Sequence, residues 1–157
     1  MKVLAIDPGY DRLGVAVLSQ TKGKVELHYS TCMKTDASES LPDRLLAVGQ
    51  TVEKLLKEHE PDSVAIETLF FNKNITTAIG VAQARGIVIY LAKEAGCAVQ
   101  EFGPQEIKVA VTGYGKSDKR AVIDMVKRLV INAPAKAEDD EYDAIAVGVT
   151  ALAHHRE

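Results

Sequence analysis

Cysteine is nearly absent. The 157 residues hold two, Cys32 and Cys97, and no Cys-x-x-Cys pair. This excludes a disulfide framework and a thiolate zinc site, and leaves two reduced, buried thiols as the expectation. The four histidines are scattered, so no imidazole metal site is spelled out, and the adjacent His154 and His155 read as a solvated helix end. Nowhere do about 18 uncharged apolar residues run together, which argues against a membrane span. The apolar run Val3 to Ile6 is too short for a signal-peptide core and stops at a charge, Asp7. Internal repeats, low-complexity tracts and linkers are missing too. The expectation is a cytoplasmic protein in which residues 1–157 form one domain with a real core.

An excess of positive charge is also missing. The net charge is -3, which speaks against a simple nucleic-acid binder. Two features weaken that objection. If four carboxylates were occupied in neutralising metal ions, the remaining balance would turn slightly positive. The charge is also uneven: between Pro104 and Arg128 stand Lys108, Lys116, Lys119, Arg120, Lys127 and Arg128 against Glu106, Asp118 and Asp124. A local basic surface follows from that segment.

What is present is a clear succession of elements. Lys2 to Asp7 reads as a buried strand, Pro8-Gly9-Tyr10-Asp11 as a turn, and Leu13 to Ser19 and Val25 to Met33 as two further strands joined by Thr21-Lys22-Gly23-Lys24. Connections this short make the three antiparallel. Leu45, Leu46, Val48, Val52, Leu55 and Leu56 recur at helical spacing over Pro42 to Glu60. Ser63 to Glu67 is a short strand, Phe70 to Asn74 a loop, Thr76 to Ala95 a long helix ending at Gly96, and Ala98 to Phe102 a fifth strand. Pro104 opens a helix to Val111, Thr112-Gly113-Tyr114-Gly115 is a flexible hinge, and Ser117 caps a helix to about Val130. Glu138 to His154 is the last helix. Strands joined through helices run parallel. The predicted fold class is α/β: a five-stranded mixed sheet, three antiparallel strands and then two parallel ones, with helices on both faces.

Acids stand at suggestive places in this frame. Asp7 closes an apolar strand, where it could also serve as a turn cap. Glu67 interrupts the apolar run Val64 to Phe71, and buried glutamate is rare unless paired or metal-bound. The run Glu138-Asp139-Asp140-Glu141-Tyr142-Asp143 opens a helix, where acids are favoured by the macrodipole. Asp140 and Asp143 share a face, about 4.5 Å apart along the axis, continued by Ala144, Val147 and Ala151. Glu138 and Glu141 share another, with Ile145, Val149 and Leu152, so spacing leaves both pairs open. Converging acids of this kind suit divalent ions that cut a phosphodiester. Two ions about 3.5–4 Å apart can activate a water and offset charge on both the attacking and leaving oxygens. Hard ions such as Mg²⁺ prefer carboxylate oxygen.

In this order the residues resemble the RuvC family of Holliday-junction resolvases, with the ribonuclease-H-like fold. The matching motifs are Ile6-Asp7-Pro8-Gly9 with Gly14; Ala65-Ile66-Glu67 with Phe70 and Asn72-Lys73-Asn74; Gln83-Ala84-Arg85-Gly86; Lys108 with Gly113, Gly115 and Lys119; and Asp140-Glu141-Tyr142-Asp143-Ala144-Ile145-Ala146. They span residues 2 to 155. The resemblance implies Asp7, Glu67, Asp140 and Asp143 as catalytic metal ligands, which settles the choice that spacing left open. It implies Mg²⁺, two ions per subunit, with Mn²⁺ as a substitute. It implies a homodimer, each subunit cutting one of two opposed strands of a four-way DNA junction, and partnership with the branch-migration proteins RuvA and RuvB. Lys108 and Lys119 look like the family's basic residues near the scissile phosphate, Lys119 taking part in catalysis, and Phe70 like its junction wedge. Asn74, Arg85, Lys116 and Arg120, in or beside these motifs, are further candidate DNA contacts. The helix from Thr76 matches the family's dimer helix. Thr68 departs from the polar residue, often Gln, that commonly follows the catalytic Glu. Other readings are an RNA-cutting relative, an actin-like nucleotide-binding domain, for which 157 residues are too few, and a DNA-binding protein without catalysis.

Overall fold

The computed structural model describes residues 1–68 and 75–155. Phe70 and Asn74 therefore lie outside the described residues. The order is β1 (Lys2–Asp7), β2 (Arg12–Thr21), β3 (Lys24–Lys34), α1 (Leu41–His59), β4 (Ser63–Glu67), α2 (Ile75–Glu94), β5 (Ala98–Phe102), α3 (Pro104–Thr112), α4 (Lys119–Leu129), β6 (Val130–Ile131) and α5 (Asp139–His154). The strands form one sheet in the order β5-β4-β1-β2-β3-β6. β1 pairs antiparallel with β2 and parallel with β4, and β4 parallel with β5.

The apolar run Val3 to Ile6 makes β1 the centre of this sheet, with all four residues fully buried. Strand alternation then divides two cores. Val3 and Ala5 of β1, Ala16 and Leu18 of β2, and Ala65 of β4 face α3, α4 and α5. Leu4, Ile6, Val15, Val17, Val64 and Ile66 face α1 and α2. By the same alternation Asp7 and Glu67 belong to the α5 face. The parallel pairing of β1 and β4 brings both strands to their carboxylates at the same end, one step beyond the Ile6–Ile66 pair.

α5 lies close on the sheet because small residues let it. A Cβ built on Gly148 would stand 2.3 Å from Leu18 Cδ1 and 3.2 Å from Ala5 Cβ. Leu18 is fully buried, so its side chain has little room to turn away. Gly148→Ala is expected to cost about 1–3 kcal/mol of stability, read by chemical denaturation. An unchanged midpoint would show that the helix and sheet can yield here.

Several expectations need correction. Among the described residues the sheet has six strands, not five. β6 is two residues long, pairing with β3 at Val25 and Glu26, and a segment that short carries no periodicity to read. Asp118, not Ser117, caps α4, its Oδ1 accepting the Ala121 N–H at 2.8 Å. Ser117 donates instead to the Tyr114 carbonyl and stands 2.6 Å from Thr112 Oγ1, so the predicted hinge is a hydrogen-bonded turn. Cys97 is buried as expected, but Cys32 is only half-buried. His154 and His155 are exposed at the end of α5 as expected, with His154 also packing on the Phe102 ring and standing 3.4 Å from Glu106. By length and composition α2 is apolar enough to cross a membrane. Here it sets Gly80, Ala84, Val88 and Ala92, one residue per turn, into the fold.

Candidate metal centre

Three carboxylates meet where β1 ends and α5 begins. One oxygen each from Asp7, Asp140 and Asp143 lies within 4.8 Å of the others. The i, i+3 spacing of the two α5 residues turns both toward the sheet on one helical face. The rival pair goes elsewhere: Glu138 binds Lys34 of β3 at 2.9 Å, and Glu141 accepts from Ser30 Oγ at 2.5 Å. Both pairs thus face the sheet, but only Asp140 and Asp143 reach β1.

Glu67 stands beside this trio rather than inside it. It lines a cavity of about 290 Å³ together with Pro104, Lys108, Lys119, Val122 and Asp143. Its pKa is raised by burial and by the Asp143 charge, and lowered in turn by Lys119 and Lys108. Asp7 feels the cluster most. Burial, then the charges of Asp143, Glu67 and Asp140, push its pKa from 3.8 up to about 8. An acid so raised marks a place where negative charge is concentrated without sufficient compensation.

Two side-chain cations supply part of that compensation. Lys119 Nζ, at the start of α4, lies 2.9 Å from Asp143 Oδ2 and 3.8 Å from Asp139 Oδ2. Burial alone would lower the lysine pKa, but the Asp143 hydrogen bond and the surrounding acids hold it above its ordinary value. Asp143 is raised by burial, against the pull of that lysine. Arg12 Nε, at the start of β2, lies 3.2 Å from Asp140 Oδ2. Cys32 Sγ donates weakly to the same Asp140 oxygen at 3.8 Å.

The donor set fits hard divalent ions. The converging groups are carboxylate oxygens on two rigid elements, the donor type that Mg²⁺ and Mn²⁺ take. The lone sulfur sits at the edge, bonded to one ligand rather than among the three.

Lys108 of α3 and Lys119 of α4 share the cavity with Glu67. Lys116 and Arg120 flank Lys119 on the turn and first residues of α4. Arg85 is spent on an ion pair with Glu101 of β5 and is largely covered. Sequence reasoning missed Arg12 and Cys32. Their signal was alternation: Gly14 pairs with Asp7 and with Cys32 in the sheet, so Arg12, two residues before Gly14, shares their face.

The family model for crossover junction endodeoxyribonuclease RuvC matches residues 3–151. The chain belongs to the RuvC family. The RuvC of Finegoldia magna is 41% identical over 149 residues, covering 95% of this chain and 91% of the relative. The Thermus thermophilus RuvC structure superposes with a TM-score of 0.87 at 32% identity, over 98% of this chain and 95% of that one. A second structure, T. thermophilus RuvC in complex with Holliday junction substrate, gives a TM-score of 0.89 at 32% identity, over 96% and 92%. Among the family's motifs in this chain, the first and last supply the three converging aspartates.

Proposed function

We propose that this protein is a metal-dependent endonuclease that resolves four-way DNA junctions by nicking two opposed strands, in recombination and repair. The observation that carries this reading is the meeting of Asp7, Asp140 and Asp143 within 4.8 Å, beside Glu67 and two lysines, in a chain of the RuvC family.

Asp7, Glu67, Asp140 and Asp143 would hold two Mg²⁺ ions, or Mn²⁺ in their place. Bound there, such ions would lower the pKa of an attacking water and offset charge on the scissile phosphate. The chain's own part is positional. β1, β4 and α5 fix the carboxylates. Lys119 and Lys108 line the cavity next to them, where ammonium groups attract a phosphate and stabilise its developing charge. Lys116 and Arg120 extend the positive surface along the incoming strand.

The paired cuts imply two active sites, and α1 and α2 offer the surface for a homodimer. Between them runs an apolar groove of about 740 Å³, with Leu45, Leu46, Ile87 and Leu91 in its walls. Leu46, Ile79 and Tyr90 are each more than half exposed along these helices, and apolar residues gathered so mark an association surface. Cytoplasmic action and partnership with RuvA and RuvB rest on the sequence and the family alone.

The test is a synthetic four-way junction, with and without Mg²⁺, read on a denaturing gel for symmetric paired nicks. Linear duplex of the same sequence should stay intact. Cutting that ignores the metal, or prefers duplex, removes the proposal. Lys119→Met should lower single-turnover nicking by about 10²-fold while leaving metal uptake in place. Nicking at the wild-type rate would take Lys119 out of the chemistry.

A further inference from the structure

Lys119 has two acids within reach, so losing one leaves it paired. Arg12 differs: among the described residues, Asp140 is its one ion-pair partner. The guanidinium meets that carboxylate through Nε, and its side chain is 56% exposed against 24% for Asp140. An ion pair this open to water contributes little to stability. Its location is the informative part, because it occupies an oxygen of a carboxylate that the metal reading assigns to a divalent ion.

We propose that Arg12 is a phosphate-binding residue for the junction strand, held on Asp140 until a divalent ion takes that carboxylate. This rests on the metal-dependent nuclease reading above. Arg12 opens β2 two residues before Gly14, whose backbone pairs with Asp7, so it stands at the rim where the carboxylates converge. A divalent ion on Asp140 would compete with the guanidinium for the same carboxylate and repel it, which frees the arginine. The freed group is a planar fork of donors suited to phosphate, already exposed beside the carboxylate cluster. Metal entry then adds one phosphate contact that the metal-free protein lacks. By linkage, junction binding and metal binding favour each other through this residue.

The test uses Arg12→Ala and Arg12→Lys, both expected to melt as wild type does because the side chain is exposed. Without DNA, calorimetric titration with Ca²⁺ should show Arg12→Ala binding the ion about two- to fivefold more tightly, since a competitor has gone. Junction binding is then measured against salt, once in EDTA and once in Ca²⁺, with the junction checked to be intact. In EDTA the variant and wild type should agree. In Ca²⁺ Arg12→Ala should bind about tenfold more weakly, and its salt slope should fall by about one unit. Arg12→Lys should keep the slope while losing part of the affinity. Equal losses in EDTA and Ca²⁺ overturn the proposal, because the arginine would then serve phosphate without any exchange. No loss in either overturns it as well. Wild type that takes up no Ca²⁺ is a different failure: it removes the metal reading itself and the exchange with it.

Discussion

Asp7→Asn is expected to abolish junction nicking, by at least about 10³-fold, and at the same time to stabilise the metal-free protein. The two effects share one cause. Asp7 lies in a partly buried site among Asp143, Glu67 and Asp140, and its pKa stands near 8 instead of 3.8. Below pH 3.8 both folded and unfolded chains hold this proton. Between there and about pH 8 the folded protein still holds it while the unfolded chain releases it. The folded state therefore binds more protons, and stability falls as pH rises across that window. One pKa unit corresponds to about 1.4 kcal/mol, so even a fraction of the shift is measurable. Asparagine keeps the shape and cannot ionise, so the variant should lose this slope. At pH 8 without metal its melting temperature should exceed wild type by about 3–8 °C. Mg²⁺ should raise the wild-type melting temperature and leave the variant nearly unchanged, while junction binding in EDTA stays within a few-fold. Parallel pH profiles for the two proteins would show that Asp7 carries no charge burden, and full nicking by the variant would remove the site.

Much of this site could be read before any coordinates. Four apolar residues ending in Asp7, and three ending in Glu67, give two buried strands that finish on carboxylates, and the helix-spanning connections make strands of that kind parallel. What the residues could not decide was the helix. Asp140 with Asp143 and Glu138 with Glu141 have the same spacing, and both pairs do point to the sheet. The difference is where α5 crosses: Glu138 and Glu141 arrive over β3, at Lys34 and Ser30, while the aspartates arrive at the end of β1. A crossing position is a property of packing and has no local signature. Family resemblance named the pair that the structure brings to Asp7, since it carries the outcome of that packing. β6 escaped for the opposite reason, being two residues that pair only because α4 delivers them to the edge of β3. Arg12 escaped because the first residue of a strand promises nothing about distant partners. Its face was legible from alternation with Gly14, its contact with Asp140 was not.

Gly14→Ala is expected to disable the centre without touching a ligand. Gly14 pairs with Asp7 across β1 and β2, and α5 passes directly over it. A Cβ there would stand 2.0 Å from the Asp140 carbonyl oxygen and 3.2 Å from Asp7 Cβ. The first distance is far inside van der Waals contact, and the obstacle is backbone, so no side-chain rotation relieves it. Either the N-terminus of α5 lifts from the sheet or the β1–β2 pair opens. Both separate Asp140 from Asp7, and a displacement of about 1 Å at reacting groups can cost about 10²-fold in rate. Gly148→Ala makes the informative comparison. Its nearest obstacle is the end of the Leu18 side chain, two turns further along α5 and away from the carboxylates. Both variants should lose about 1–3 kcal/mol of stability. Only Gly14→Ala should also lose metal affinity, by about 10- to 100-fold, and nicking by about 10²-fold. If Gly14→Ala binds metal and nicks as wild type does, the close approach of α5 to β2 has no part in holding the aspartates together. If it fails in both while Gly148→Ala fails only in stability, the missing methyl group at position 14 is what lets a helix and a strand bring their carboxylates to one point.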